Sequence, residues 1–220
     1  MSPGEGRLRN GLVLPILFAL TAVTTFLALG TWQIERKAWK ENLIKTMDQR
    51  ITAAPIDLPA RSLWPQLDAS RDEFRQVRFS ATFVAAAAAL VYAGAPVGHS
   101  DTPGPGYFVL ALARLPNGDQ IVINRGFVPD ARKDDAVSAV PSGSVAVTGV
   151  MRWAEPRRWF TPKDDPDHNL WFVRDPAAIA ASNGWGEVAP FYIDLETSSV
   201  PGAFPRPGAP SVQLRNEHLQ

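Results

Sequence analysis

Apolar residues are spaced in three different ways along this chain, and each spacing predicts a different kind of structure. From Gly11 to Gly30 they are continuous: GLVLPILFALTAVTTFLALG holds no charged residue over twenty positions. A helix of that length is roughly 30 Å long, the thickness of a bilayer's hydrocarbon core. Pro15 and the threonines within it are tolerated when local side chains satisfy the backbone. A cleaved signal peptide has a shorter apolar region, although Ala28 and Gly30 loosely fit a cleavage site. A buried core helix in a soluble domain would carry a polar face. The block therefore predicts a retained transmembrane helix over residues 11–30, preceded by a ten-residue tail.

Beyond the block the period becomes helical. In TWQIERKAWKENLIKTMDQR, Trp32, Trp39, Leu43 and Met47 form one stripe, which predicts a helix leaving the membrane over residues 31–53. Pro55 and Pro59 end it. From Phe74 onward the period shortens to two. Val77, Phe79, Ala81 and Phe83 share a face of Phe74–Val84. Ala85–Ala89 is ambiguous, because alanine favours helix while the following Leu90-Val91-Tyr92 favours strand. Tyr107–Leu115, the turn Pro116-Asn117-Gly118-Asp119 and Gln120–Val128 predict a hairpin, since Asn-Gly is the strongest short hairpin signal. Val145–Trp153, Leu170–Val173 and Phe191–Leu195 are further strands. Asp175, Pro176 and Asn183-Gly184 bracket one short helix. The fold class expected is α+β, mainly β: a transmembrane helix, then a small antiparallel barrel-like or sandwich domain over residues 54–215 with one or two short helices.

Composition narrows what such a chain does. Lys+Arg and Asp+Glu balance at 22 each, which argues against nucleic-acid binding. Cysteine is absent, so disulfides, thiolate metal sites and cysteine nucleophiles are excluded. Arg7 and Arg9 before the span favour a cytoplasmic N-terminus, with the large C-terminal part translocated. The ten-residue tail is too short for an organelle transit peptide, which points to a bacterial inner membrane.

Candidate chemistry is sparse. The three histidines are His99, His168 and His218; the first two sit in polar loops without metal-ligand spacing, and the third lies near the end of the sequence. No GxSxG, HExxH, P-loop or GxGxxG occurs, so an enzyme is not expected. In INRGFVP (Ile123–Pro129), Arg125 is either a binding group or a surface arginine beside the turn at Gly126. In MRWAEPRRWF (Met151–Phe160), Arg152, Arg157 and Arg158 interleave with aromatic residues. They suit a planar, carboxylate-bearing ligand, or else the string is a strand end packing on a core.

Four strings together resemble the SURF1 (Surf1/Shy1) family of cytochrome c oxidase assembly proteins. They are LGTWQIERKAWKENLI (Leu29–Ile44), VINRGFVP (Val122–Pro129), the run from Arg152 through Trp171 into the Asp175 helix, and NEHLQ (Asn216–Gln220). Within them Trp32, Gln33, Arg36, Trp39, Asn124, Arg125 and Gly126 carry the match. The resemblance implies an extracytoplasmic domain between two membrane helices, residues 216–220 being the truncated start of the expected second helix. It implies assistance to maturation of oxidase subunit I, with haem a as a transient cofactor. Its haem-associated histidine matches His218; Arg125 and Arg158 are the other candidate cofactor contacts. Subunit I, the haem a synthase and the lipid bilayer are the implied partners. A cofactor-free interaction scaffold is the alternative, and an envelope hydrolase a third class.

Overall fold

A computed structural model of the chain describes residues 5–94, 104–134, 140–197 and 204–207. The chain divides into two compact units, Met1–Thr46 and Met47–Gln220. The first is occupied by α1 (Glu5–Ile51), one unbroken helix of 47 residues whose last turn belongs to the second unit. The apolar block and the amphipathic stretch after it are thus a single element. Its Val13–Trp39 stretch is long and apolar enough to cross a membrane, and none of it is buried. Phe18 and Phe26 are more than 70% exposed. A helix apolar on all sides and exposed along this stretch is consistent with a membrane anchor. The hydroxyls of Thr21, Thr24 and Thr25 each donate to the carbonyl four residues earlier at 2.8 Å, so these polar groups are satisfied within the helix itself.

The second unit is built on a closed five-stranded barrel. Its strands are β2 (Gln76–Ala93), β3 (Gly106–Arg114), β4 (Gln120–Pro129), β5 (Ser144–Arg152) and β7 (Tyr192–Leu195). The ring runs β2-β3-β4-β7-β5 and returns to β2. Every contact around it is antiparallel except β4 with β7, which is parallel. Two short strands add to β2 in parallel: β1 (Ile56–Asp57) at Val77 and Arg78, and β6 (Leu170–Trp171) at Leu90 and Val91. The predicted strand Leu170–Val173 is therefore shorter than expected.

The ambiguous alanine run is strand. β2 continues through it for 18 residues. Between Phe83 and Ala88 the strand advances five residues while β3 advances two, from Ala113 to Ala111. That bulge bends β2, and alanine suits it because a small side chain fits either side of a sharp bend. The bend lets one strand pair with β5 through its first half and with β3 through its second, Thr82 touching both.

Alternation places two apolar clusters on opposite faces of the wall. The inner one takes Val77, Ala81, Val109, Ala111, Ile121, Ile123, Val147, Met151 and Ile193 from all five strands. Trp64, on a 3-10 turn (Arg61–Gln66), joins it with 6% exposure. Its ring meets Phe191 edge-on at 5.7 Å, and its Nε1 donates to the Pro59 carbonyl at 2.9 Å. The outer cluster joins Leu110, Val122 and Tyr192 to Trp171 and Ile179. Ile179 lies on α3 (Pro176–Ser182), whose N-terminus is capped as predicted: the Asp175 carboxylate accepts from the backbone N–H groups of Ala177 and Ala178. The four-residue helix α2 (Ala69–Asp72) is capped by Asp68 in the same way.

Trp64→Ala would leave a cavity at a site five strands converge on. It is expected to destabilise the domain by about 3–5 kcal/mol, read as a lowered Tm of the detergent-solubilised chain.

Candidate functional site

INRGFVP forms the second half of β4, and each of its central residues has a distinct task. Asn124 faces outward. Its Nδ2 donates to Asp194 Oδ1 on β7 at 2.7 Å, and its Oδ1 accepts from the Gly126 N–H at 3.1 Å. Arg125 turns inward. It is 6% exposed, its guanidinium lies 5.7 Å from the Phe83 ring centroid, and burial pushes its pKa below the ordinary arginine value. Gly126 has φ +118°, and a Cβ there would stand 2.1 Å from the Arg206 carbonyl oxygen. The segment around Arg206 pairs antiparallel with Phe127, each donating to the other at 2.8–2.9 Å. Only glycine permits that approach.

Asp194 links three strands. Besides Asn124 it accepts from Arg152 Nη1 on β5 at 3.3 Å. Arg152 Nε in turn donates to Glu73 at 3.2 Å, and its guanidinium covers the Phe74 ring at 4.6 Å. Phe74 holds a left-handed backbone (φ 67°), costly for a side chain with a Cβ. Its N–H donates to the Met151 carbonyl at 3.0 Å, so strand β5 and Arg152 together hold it there. Gly149 on β5 makes the crossing of β7 close: a Cβ would meet the Asp194 carbonyl oxygen at 2.4 Å.

A second pair lies on the same outer face. Arg174 bonds Glu155 and covers Phe108 at 4.7 Å and Tyr192 at 5.9 Å. Burial opposes the Arg174 charge, yet attraction to Tyr192, Asp194 and Glu155 and the bond to Glu155 hold its pKa above the ordinary value. Tyr192 is driven up as well, first by burial and then by the Asp194 carboxylate. Its hydroxyl is buried without a partner among the described residues. These groups are nearly all paired with each other. The arrangement is a clamp that holds the Glu73 and Glu155–Arg174 segments on the barrel.

The residues singled out in MRWAEPRRWF separate. Met151 and Trp153 pack with the inner cluster, Trp153 lying 5.5 Å from Phe191. Arg152 enters the clamp, and Arg157 bonds Asp164 and the Pro162 carbonyl. Arg158, Trp159 and Phe160 are exposed. Trp32, Gln33, Arg36 and Trp39 lie on α1, with the Arg36 guanidinium 5.4 Å from the Trp32 ring centroid. His99 and His218 lie outside the described residues.

Haem requires an axial donor at an apolar cleft. The described residues do not make one. His168 is 81% exposed, with Nδ1 2.7 Å from Asp165. It borders a half-open hollow of about 480 Å³ that Lys133 and Asp134 make polar. Arg125 and Arg158 stand on opposite terms, one buried against Phe83 and the other in solvent. No group of three His, Asp or Glu placed to hold a metal ion occurs among the described residues. Sequence reasoning missed Asp194, whose signal was a lone acid inside the apolar run FYIDL.

Comparison with known proteins adds to this geometry. A model of the SURF1 family matches residues 20–220. Surfeit locus protein 1 of Homo sapiens is 33% identical over 215 residues, covering 91% of this chain and 69% of that protein. The SURF1-like protein of Monosiga brevicollis is 33% identical over 206 residues, covering 90% and 76%. Surfeit locus protein 1 of Rattus norvegicus is 31% identical over 215 residues, covering 92% and 68%.

Removing the clamp's shared acid by Asp194→Ala strips Asn124 and Arg152 of charge-assisted bonds. It is expected to cost about 2–3 kcal/mol, and a double-mutant cycle with Asn124→Ala should return a coupling near 1 kcal/mol or more. Tyr192 supplies a pH dependence. Its folded pKa is raised, so its contribution to stability is complete below the free phenol's pKa of about 10 and is lost as pH climbs toward the folded value. Tyr192→Phe should flatten the alkaline limb of stability against pH, and the folded protein should show one tyrosine whose phenolate band appears only on unfolding.

Proposed function

The chain belongs to the SURF1 family, and from that premise we propose that it is an assembly factor for haem-copper cytochrome c oxidase. It acts from the membrane through α1 and assists insertion of haem a into subunit I. The bilayer is the bacterial inner membrane, with the N-terminus cytoplasmic and the barrel on the far side, as Arg7 and Arg9 before the span favour. Subunit I and the haem a synthase are the partners. The observation that carries the reading is the family match over residues 20–220. The arrangement of INRGFVP supports it: two of the three residues of that string that carry the resemblance, Asn124 and Gly126, lock β4, β7 and the Arg206 segment together.

Haem a contact rests on His218. A second reading, a cofactor-free scaffold that holds subunit I while another protein delivers haem, is favoured by one observation. The barrel interior is filled by side chains, and the only described histidine lies on a polar hollow.

Titrating the full detergent-solubilised chain with haem a separates the two. A saturable Soret change that is lost in His218→Ala is expected for haem delivery. No saturable change, together with co-purification of subunit I, establishes the scaffold. Deleting the gene should lower oxidase activity and leave other haem enzymes intact; normal oxidase content in the deletion strain refutes both.

A further inference from the structure

Among the described residues of the barrel unit, Trp159 and Phe160 are the aromatic side chains most open to water. Trp159 is 96% exposed and Phe160 60% exposed, their rings edge to face at 5.5 Å. Large aromatics left this far in solvent mark a contact surface. The pair sits on a turn with its own scaffolding. The Thr161 N–H donates to the Arg158 carbonyl at 3.0 Å, and the Arg158 N–H donates to Thr161 Oγ1 at 3.2 Å. Arg157 fastens the far side through the Pro162 carbonyl and Asp164, and Asp164 also accepts from the Phe172 N–H at 2.8 Å. The tip is therefore presented in a fixed shape, which lowers the ordering cost of a contact.

Its charges complete the chemistry. Asp164 is paired with Arg157 and Glu155 with Arg174. Arg158 and Lys163 stand beside the rings as exposed cations, and Asp165, in contact with His168, and the exposed Asp167 follow them in the chain. Aromatic rings that settle at headgroup level, flanked by long cationic side chains that reach phosphates, are the chemistry of a membrane interface. The same chain carries the Val13–Trp39 stretch. An anchored domain stays at high local concentration beside its bilayer, so even a small surface suffices to hold it there.

We propose that the Arg158–Lys163 turn docks on the phospholipid surface of the bilayer in which α1 is anchored, Trp159 and Phe160 entering the headgroup layer and Arg158 and Lys163 meeting phosphates. The docking rests on α1 as the anchor, not on the oxidase-assembly reading.

The absence of cysteine allows a direct test. Single-cysteine variants Ala28→Cys on α1, Phe160→Cys on the turn and Asn117→Cys on the exposed β3–β4 turn are labelled with an environment-sensitive fluorophore. The full chain is then reconstituted in vesicles of phosphatidylcholine and phosphatidylglycerol. Acyl-chain nitroxide lipid should quench the Ala28 probe, headgroup nitroxide lipid should quench the Phe160 probe with a blue-shifted emission, and the Asn117 probe should stay at the solvent level. Adding Trp159→Asp and Arg158→Glu should return the Phe160 probe to the Asn117 level; the fold is expected to be unaffected because both side chains are exposed, with an unchanged melting curve as the control. A Phe160 probe no more quenched than Asn117, while Ala28 is quenched, overturns the docking, as does quenching that survives the double substitution. An unquenched Ala28 probe removes the anchor and the docking with it. A Phe160 shift that appears only when solubilised membrane proteins are added reassigns the turn to a protein partner.

Discussion

β2 pairs twice, and the barrel unit is organised around that fact. A strand of 18 residues that bends at its alanine run presents one half to β5 and the other to β3. Without the bend the sheet would end in two open edges, each a row of unpaired backbone groups liable to join other chains. With it the ring closes, and the two short strands β1 and β6 add to β2 itself. Closure also separates the faces: inward residues meet only one another, which is why small alanines at 81, 88, 111 and 113 are needed among the larger side chains for so narrow a barrel to fill.

Closure has a weak point where β4 runs parallel to β7. Those strands are some seventy residues apart in sequence, Asn124 being bonded to Asp194, and parallel pairing supplies slightly less stabilisation per residue than antiparallel. The clamp lies on this seam. Asp194 draws β4 in through Asn124 and β5 through Arg152, while Gly126 and Gly149 let the neighbouring backbones come close enough for the contacts to form. Charge is used as a fastener because the bonds are directional: an apolar contact at the same place would tolerate a slipped register, whereas a carboxylate shared by two specific donors does not.

What could be read in advance follows from how local each signal is. The β3–β4 hairpin was legible because Asn117-Gly118 and the two apolar-rich runs it joins lie within about twenty residues. The Asp175 cap was legible because its donors are two and three residues on. The alanine run was not, since helix propensity and a strand bend depend on different things: alanine's intrinsic preference against its place between two sheets. The role of Asn124 was only half visible. Its string stood out, but its partner lies on a strand that reaches it only after the ring closes. Arg125 shows the same limit, because alternation within β4 sends it inward where the sequence allowed a surface position.

A barrel filled by its own side chains restricts where this protein acts. The described interior is occupied by one apolar cluster drawn from all five strands, and the charges of the clamp hold neighbouring segments in place. A tether changes what an outside surface must achieve. Partners that share a bilayer diffuse in two dimensions and meet often, so a specific but modest surface gives useful occupancy. Two of the strings that carry the family resemblance fall on structured elements, Leu29–Ile44 on α1 and Val122–Pro129 on β4 at the clamp seam. The first supplies part of the apolar helix, and the second fixes the register in which the barrel closes.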